Sequence, residues 1–184
     1  RIADGTADFT QGPAMTREQA LLAIETGMAL VRDAREAGFS LLATGEMGIG
    51  NTTTSSAVAA VLLGEPVERM TGRGAGLSDA GLGRKLDAIR RGISRNRPNA
   101  ADALDVLGKL GGLDIAGLCG VFLGGARYRV PIVMDGFISG VAALCAVRLC
   151  PRAEAAIFAS HASSEPAARR VMEALGKRPL ITAG

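Results

Sequence analysis

The sequence predicts an α/β fold, a doubly wound parallel sheet with flanking helices, on three observations. Short apolar runs of strand length alternate along the chain with longer segments of helical periodicity, the pattern that joins parallel strands through right-handed crossovers. Two glycine-rich stretches each lead into a helical segment, as turns at the ligand-binding rim of such sheets do. The composition is 48% hydrophobic but only 3% aromatic, with 25 Gly, which suits one core with helices packed closely on a sheet.

Residues 1–15 read as an extended lead-in punctuated by Gly5, Gly12 and Pro13, ahead of a single domain over residues 16–184. Thr16 opens a helix with Gln19 as its capping-box partner. Leu21, Ile24, Met28 and Val31 form its apolar stripe, and Gly38 ends it. Phe39 to Thr44 reads as a buried strand, and Thr53 to Leu63 as the helix after the first glycine-rich turn. Ser78 caps a helix with the stripe Leu82, Leu86, Ile89 and Ile93, which Pro98 closes. Helices follow at Ala101–Leu110, Leu113–Ala126, Phe137–Leu149 and Glu165–Leu175, interleaved with strands at Val130–Met134 and Ala155–Ala159 and a last strand at Pro179–Thr182.

The apolar runs Ile115–Ala126 and Gly136–Val147 are too short to cross a bilayer and read as buried helices, so no membrane partner is expected. A net charge of +3 with few aromatic rings is no signature of nucleic-acid binding and suits a small anionic ligand. Cys119, Cys145 and Cys150 have no metal-ligand spacing and read as reduced core thiols, which fits a cytoplasmic location. With one histidine and no cysteine cluster, neither a metal nor another cofactor is expected.

The strongest local signal is Gly45-Glu-Met-Gly-Ile-Gly-Asn-Thr-Thr-Thr54. Gly48 and Gly50 let backbone approach an anion, the following helix start offers N–H donors, and Thr52 and Thr53 add hydroxyls. The spacing fits a phosphate loop from Gly45 to Thr52, but Asn51 occupies the lysine position. A triphosphatase would lack its bridging cation, and a single phosphate monoester fits better. The dinucleotide fingerprint fails at Thr53. Glu46 inside this turn would repel a phosphate, so its carboxylate is expected to face a base or ribose, or else to pair structurally with Arg or backbone N–H.

The second stretch, from Thr71 to Gly81, contains Gly74 and Gly76 ahead of the Ser78-capped helix. On that helix Lys85 lies roughly 70° from the centre of the apolar stripe and can reach a phosphate along the flank. Arg84 faces away, and Arg90, Arg91, Arg95 and Arg97 read as a solvated face. Asp135, after a strand, either caps the next helix or binds ribose hydroxyls. His161 follows another strand end, without the pattern of a hydrolase triad. Glu46, Asp135 and the Ser160–His161 pair would then converge on one rim.

Together, G-E-M-G-I-G-N-T-T, G-R-G-x-G-L-x-D-A-G-L-x-R-K, P-I-V-M-D-G-F-I-S and S-H-x-S-x-E-P-A resemble the nicotinate-nucleotide:dimethylbenzimidazole phosphoribosyltransferases, from F-T-Q-G-P-A-M-T to the end of the chain. The resemblance implies a Rossmann-like sheet, a homodimer and no metal. It also implies transfer of phosphoribosyl from nicotinate mononucleotide to 5,6-dimethylbenzimidazole, giving α-ribazole 5′-phosphate and nicotinate for the lower ligand of cobalamin. Glu46 then matches the family's glutamate beside the base, as an auxiliary carboxylate. Met47, Gly48, Gly50, Asn51, Thr52, Thr53, Gly74, Gly76 and Lys85 fall on its substrate-binding elements, with Asp135 at the ribose and Ser163 near the ligand. The family's general base lies in an L-G-E-G-x-G-A stretch that this sequence stops short of, so the chain is expected to be a fragment, weak or inactive alone. Another acceptor (a phenol, another benzimidazole or adenine) and a catalytically inactive nucleotide-phosphate binding module are the alternative readings.

Overall fold

The computed structural model describes residues 1–163 and 165–181. The first helix, α1 (Arg17–Glu36), begins as expected: the Thr16 hydroxyl accepts from Gln19 N at 3.1 Å while Thr16 N donates to Gln19 Oε1 at 2.9 Å. Its buried face is Ala20, Ala23, Ile24, Gly27 and Val31, and Leu21 is exposed. The expected stripe is therefore displaced towards the small residues. The cause is the neighbour, α6 (Leu113–Tyr128), which lies along α1 so closely that a Cβ on Gly120 would overlap the Ile24 carbonyl oxygen. Backbone-to-backbone contact leaves no volume for a leucine there.

Three parallel strands, β1 (Leu42–Ala43), β2 (Ile132–Met134) and β3 (Ile157–Ala159), form a sheet in the order β1-β2-β3. Leu42 pairs with Ile132, which pairs in turn with Ile157. The α/β expectation is met, with strands shorter than the apolar runs suggest. Phe39 is 60% and Leu41 58% exposed, so the expected buried strand is corrected to a two-residue strand at the sheet edge. Apolar content alone does not tell a covered strand from an edge one.

The remaining helices are α2 (Asn51–Leu63), α3 (Val67–Met70), α4 (Asp79–Asn96), α5 (Ala103–Leu110), α7 (Phe137–Leu149) and α8 (Pro166–Leu175). The one-turn α3 has no counterpart in the sequence reading, because four residues carry no periodicity. Pro151–Ala156 is a 3₁₀ turn that takes over the start of the expected Ala155–Ala159 strand. The last expected strand reduces to one parallel bridge between Ile181 and His161, and Thr182 lies outside the described residues.

The core runs through the two apolar helices, with Ile115, Cys119 and Phe122 of α6 and Val141, Leu144 and Cys145 of α7 fully or almost fully buried. Cys150 is only half-buried, which corrects the expectation of three core thiols. Among the described residues, no helix is long and apolar enough to cross a membrane.

Candidate active site

The strand ends Thr44, Asp135 and Ser160 are side by side at the carboxyl edge of the sheet, where α2, α7 and α8 begin shortly afterwards. Thr44 ties two of them together. Its buried hydroxyl accepts from Asp135 N at 3.1 Å and lies 3.1 Å from Ser139 Oγ and 3.2 Å from Val133 O. The rim is thus rigid at its centre, with functional side chains spread to either side.

On one side stands the first glycine-rich turn. Gly50 holds the N-cap of α2 at φ 80°, a left-handed conformation that glycine adopts freely, and no side chain caps the helix. Within its first turn Asn51 N donates to Gly48 O at 3.3 Å and Thr53 N to Gly50 O at 2.9 Å, so the donor left to an anion is Thr52 N. Asn51 points its amide at two carboxylates: Nδ2 donates to Glu46 Oε2 and, at 2.8 Å, to Asp114 Oδ2. Of the two readings for Glu46, an Arg partner is not found among the described residues, and a neutral amide holds the carboxylate.

Gly48 makes this cluster possible, since a Cβ there would lie 2.5 Å from both Asn51 Nδ2 and Asp114 Oδ2. Met47 is 95% exposed. Asp114, near the start of α6, escaped the sequence reading. Its signal is the preceding Gly112, which leaves room for the Asp114 carboxylate to fold back.

The second glycine-rich stretch closes on the first. Lys85 Nζ donates to Thr52 Oγ1 and to Gly72 O, both at 2.9 Å, and a Cβ on Gly74 (φ 55°) would sit 2.8 Å from Thr52 Oγ1. Lys85 is only 6% exposed. It lies on the buried ridge Gly81, Lys85, Ile89 and Gly92, not on the flank. The correction has a simple origin: two glycines on that ridge hide it from a count of large apolar residues. Burial pushes the Lys85 ammonium below its usual range, and the Glu165 carboxylate pulls it back. Thr53 is half-buried in the first turn of α2, and Gly76 (φ 96°) lies in open space. Ser78 caps α4 by accepting from Gly81 N at 3.2 Å, as expected.

On the other side of Thr44, Asp135 leaves α7 uncapped: the N-cap is Gly136 and no side chain caps it. The Asp135 carboxylate instead faces His161, Oδ1 to Nδ1 at 3.9 Å, and Ser160 Oγ lies 2.9 Å from the same Nδ1. A Ser-His-Asp relay needs the serine and the carboxylate on opposite ring nitrogens. Both share one here, so this trio is no hydrolase triad. Ser163 Oγ accepts from Glu165 N at 3.3 Å and would lie 4.0 Å from a Cβ on Gly136. Of the solvated arginines, Arg84 is exposed, while Arg90 pairs with Glu68 and Arg91 with Asp87. Among the described residues, no three His, Cys, Asp or Glu side chains group to hold a metal.

A family model described as "Phosphoribosyltransferase" matches residues 1–184. The chain belongs to this phosphoribosyltransferase family. It is 53% identical over 181 residues to the nicotinate-nucleotide–dimethylbenzimidazole phosphoribosyltransferase of Acetivibrio thermocellus, covering 98% of this chain and 52% of that protein. The Roseiflexus enzyme of the same name is 52% identical over 180 residues, 98% of this chain and 51% of its own. The crystal structure of CobT from Thermus thermophilus superposes with a TM-score of 0.94 at 42% identity, over 99% of this chain and 54% of that one. The chain thus spans about half the length of the relatives it matches.

Proposed function

We propose that this chain supplies the phosphoribosyl-binding half of a site that transfers phosphoribosyl from nicotinate mononucleotide to 5,6-dimethylbenzimidazole, yielding α-ribazole 5′-phosphate and nicotinate for the lower ligand of cobalamin. The observation that carries it is the closure of both glycine-rich stretches on the Lys85 ammonium, beside an uncapped α2. That arrangement suits one phosphate monoester. Lys85, the hydroxyls of Thr52 and Thr53, and the backbone around Gly48, Gly50, Gly74 and Gly76 would hold it. Asp135 would take the ribose hydroxyls, with Ser163 near the ligand.

In the reaction, an azole nitrogen attacks C1′ from the face opposite the pyridinium. The C1′–N bond to nicotinate breaks and its electron pair neutralises the ring nitrogen, so C1′ inverts from β to α. The azole N–H proton leaves to a carboxylate. Glu46, fixed by Asn51, serves as the auxiliary carboxylate beside the base, orienting the azole and balancing charge at C1′. Met47 is assigned to the same wall through its backbone only. The homodimer and the cytoplasmic location implied by the resemblance complete the proposal, and light scattering on purified protein tests the former.

Calorimetric titration tests the site. Nicotinate mononucleotide should bind at least tenfold more tightly than nicotinate riboside, which lacks the phosphate, by the weight of charge-assisted bonds to one anion. Equal affinities would refute the phosphate assignment. For turnover, protein of the relatives' full length carrying these residues should form α-ribazole 5′-phosphate from the two substrates. Formation of a phenol or adenine ribotide in preference would favour another acceptor.

A further inference from the structure

Glu165 is the N-cap residue of α8, yet its side chain makes no capping bond. Its Oε2 is buried and has no hydrogen-bond partner among the described residues. A buried acceptor left without a donor is destabilising, so its position calls for a compensating interaction. The carboxylate lies against Gly72 so closely that a Cβ there would overlap Oε2 and come within 2.7 Å of Pro166 Cδ. Gly72 is also the residue whose carbonyl accepts from Lys85 Nζ. One glycine thus separates a buried carboxylate from a buried ammonium, and only a residue without a side chain allows that approach.

The backbone around Glu165 is fixed independently. Its N–H donates to Ser163 Oγ at 3.3 Å, and its carbonyl accepts from Ala168 N at 2.9 Å in the first turn of α8. Arg84, next to Lys85 on α4, is exposed to solvent, and the charged groups of the neighbouring elements pair with one another. On α4, Arg90 pairs with Glu68 of α3 and Arg91 with Asp87; on α5, Asp105 pairs with Lys109. Glu65 pairs with Arg69 of α3 and Arg170 of α8, Arg169 pairs with Glu173 within α8, and Arg73 of the glycine-rich stretch pairs with Asp79. The helix α2, which also packs on α4, carries no charged side chain. Among the described residues, Glu165 is the charge that acts on Lys85 against the effect of burial.

We propose that Glu165 is the positioning residue of Lys85: across Gly72 it supplies the counter-charge that holds the ammonium between Thr52 Oγ1 and Gly72 O, with its third N–H left for the substrate phosphate. This rests on the reading of Lys85 as the phosphate cation. An ammonium has three donors, and two are committed to the protein. Without Glu165 the buried lysine gives up its proton more readily, and its grip on an anion weakens as pH rises.

The test has two arms. In the unliganded chain, the Lys85 side chain is titrated by NMR, assigned with Lys85→Arg, in wild type, Glu165→Gln, Glu165→Asp and Gly72→Ala. In parallel, nicotinate mononucleotide affinity is measured at neutral and alkaline pH. Glu165→Gln and Gly72→Ala should move the Lys85 midpoint down and lower alkaline affinity on the order of tenfold, with a smaller loss at neutral pH. Glu165→Asp should restore most of both. An unmoved midpoint in folded Glu165→Gln overturns the proposal, and so does a loss of affinity that is the same at every pH. If wild type binds nicotinate mononucleotide no better than nicotinate riboside, the phosphate reading fails instead. The midpoint, which needs no ligand, then still decides whether Glu165 governs Lys85.

Discussion

Replacing Lys85 with Met separates ligand binding from folding in a way that few other changes in this chain can. Met matches the length of the lysine stem and keeps most of its apolar contact on the ridge with Ile89. What disappears is the ammonium, with its bonds to Thr52 Oγ1 and Gly72 O. For stability, two acceptors lose a donor, at about 1–3 kcal/mol for each one that water cannot reach. Against this, a buried cation no longer has to be desolvated, which offsets a comparable amount. The net effect on unfolding free energy should stay within about 2 kcal/mol of zero.

Binding has no such cancellation. A charge-assisted bond to a phosphate oxygen contributes about 1.5–3 kcal/mol, so affinity for nicotinate mononucleotide should fall roughly 10- to 150-fold. Calorimetry on the folded variant, with its urea midpoint measured alongside, gives both numbers. A folded Lys85→Met chain that binds within threefold of wild type would refute the reasoning, because the lysine would then be only a structural strut.

Other consequences can be checked more briefly. Gly120→Ala should destabilise the chain by about 1–3 kcal/mol in urea titrations, since its Cβ would overlap the Ile24 carbonyl and force α1 off α6. Thiol reagents at neutral pH should label Cys150 first and the buried Cys119 and Cys145 only on unfolding, countable by mass spectrometry. Burial raises the Cys145 thiol from 9.0 to about 12, and Cys119 also lies well above 9.0. The folded state therefore holds these protons more tightly than the unfolded one, so their stabilisation is complete below about pH 9 and is lost as pH climbs towards 12. Lys85, shifted down, contributes the opposite slope below 10.5. Cys145→Ala should make the alkaline fall in the urea midpoint shallower. Asn51→Ala, which frees Glu46 from its amide partner, should lower kcat of the full-length enzyme on the order of tenfold while leaving KM for nicotinate mononucleotide within about twofold.

Elements with a strong local cause were legible in the sequence. The Thr16 capping box and the Ser78 cap follow from side-chain chemistry within a few residues, and the structure has both. Misplacements share one origin: a face defined by glycine and alanine carries no hydrophobic signal. It shifted the buried side of α1 from Leu21 to Ala20 and Gly27, and moved Lys85 from the flank of α4 onto its buried ridge. The two-residue β1 failed for another reason, since whether an apolar run is covered depends on neighbours distant in sequence. In the site, the first glycine-rich turn was legible as a turn that leads into a helix. Asp114 was not, because its link to Asn51 spans two helices that only the tertiary fold brings together.

In the proposed site, the position of the cation is the reason a turn with phosphate-loop spacing would suit a monoester. In a triphosphatase the lysine belongs to the turn itself and extends along the phosphate chain. Here that place holds Asn51, whose amide is committed to Glu46 and Asp114. The positive charge arrives from a different helix and stops at Thr52, the next residue along α2. If a second and third phosphate extended from Thr52 towards Asn51 they would meet two carboxylates, at a repulsive cost that no cation beyond Lys85 is placed to offset among the described residues. A base carrying an N–H would meet an acceptor at the same point. The proposed orientation follows: phosphate at Thr52 and Lys85, ribose towards Asp135, and heterocycle towards Glu46. Introducing lysine at Asn51 should thus not confer nucleotide triphosphate binding, because Glu46 and Asp114 would pair with it first. A measurable gain in ATP affinity for Asn51→Lys would place the phosphate on the wrong side of the turn.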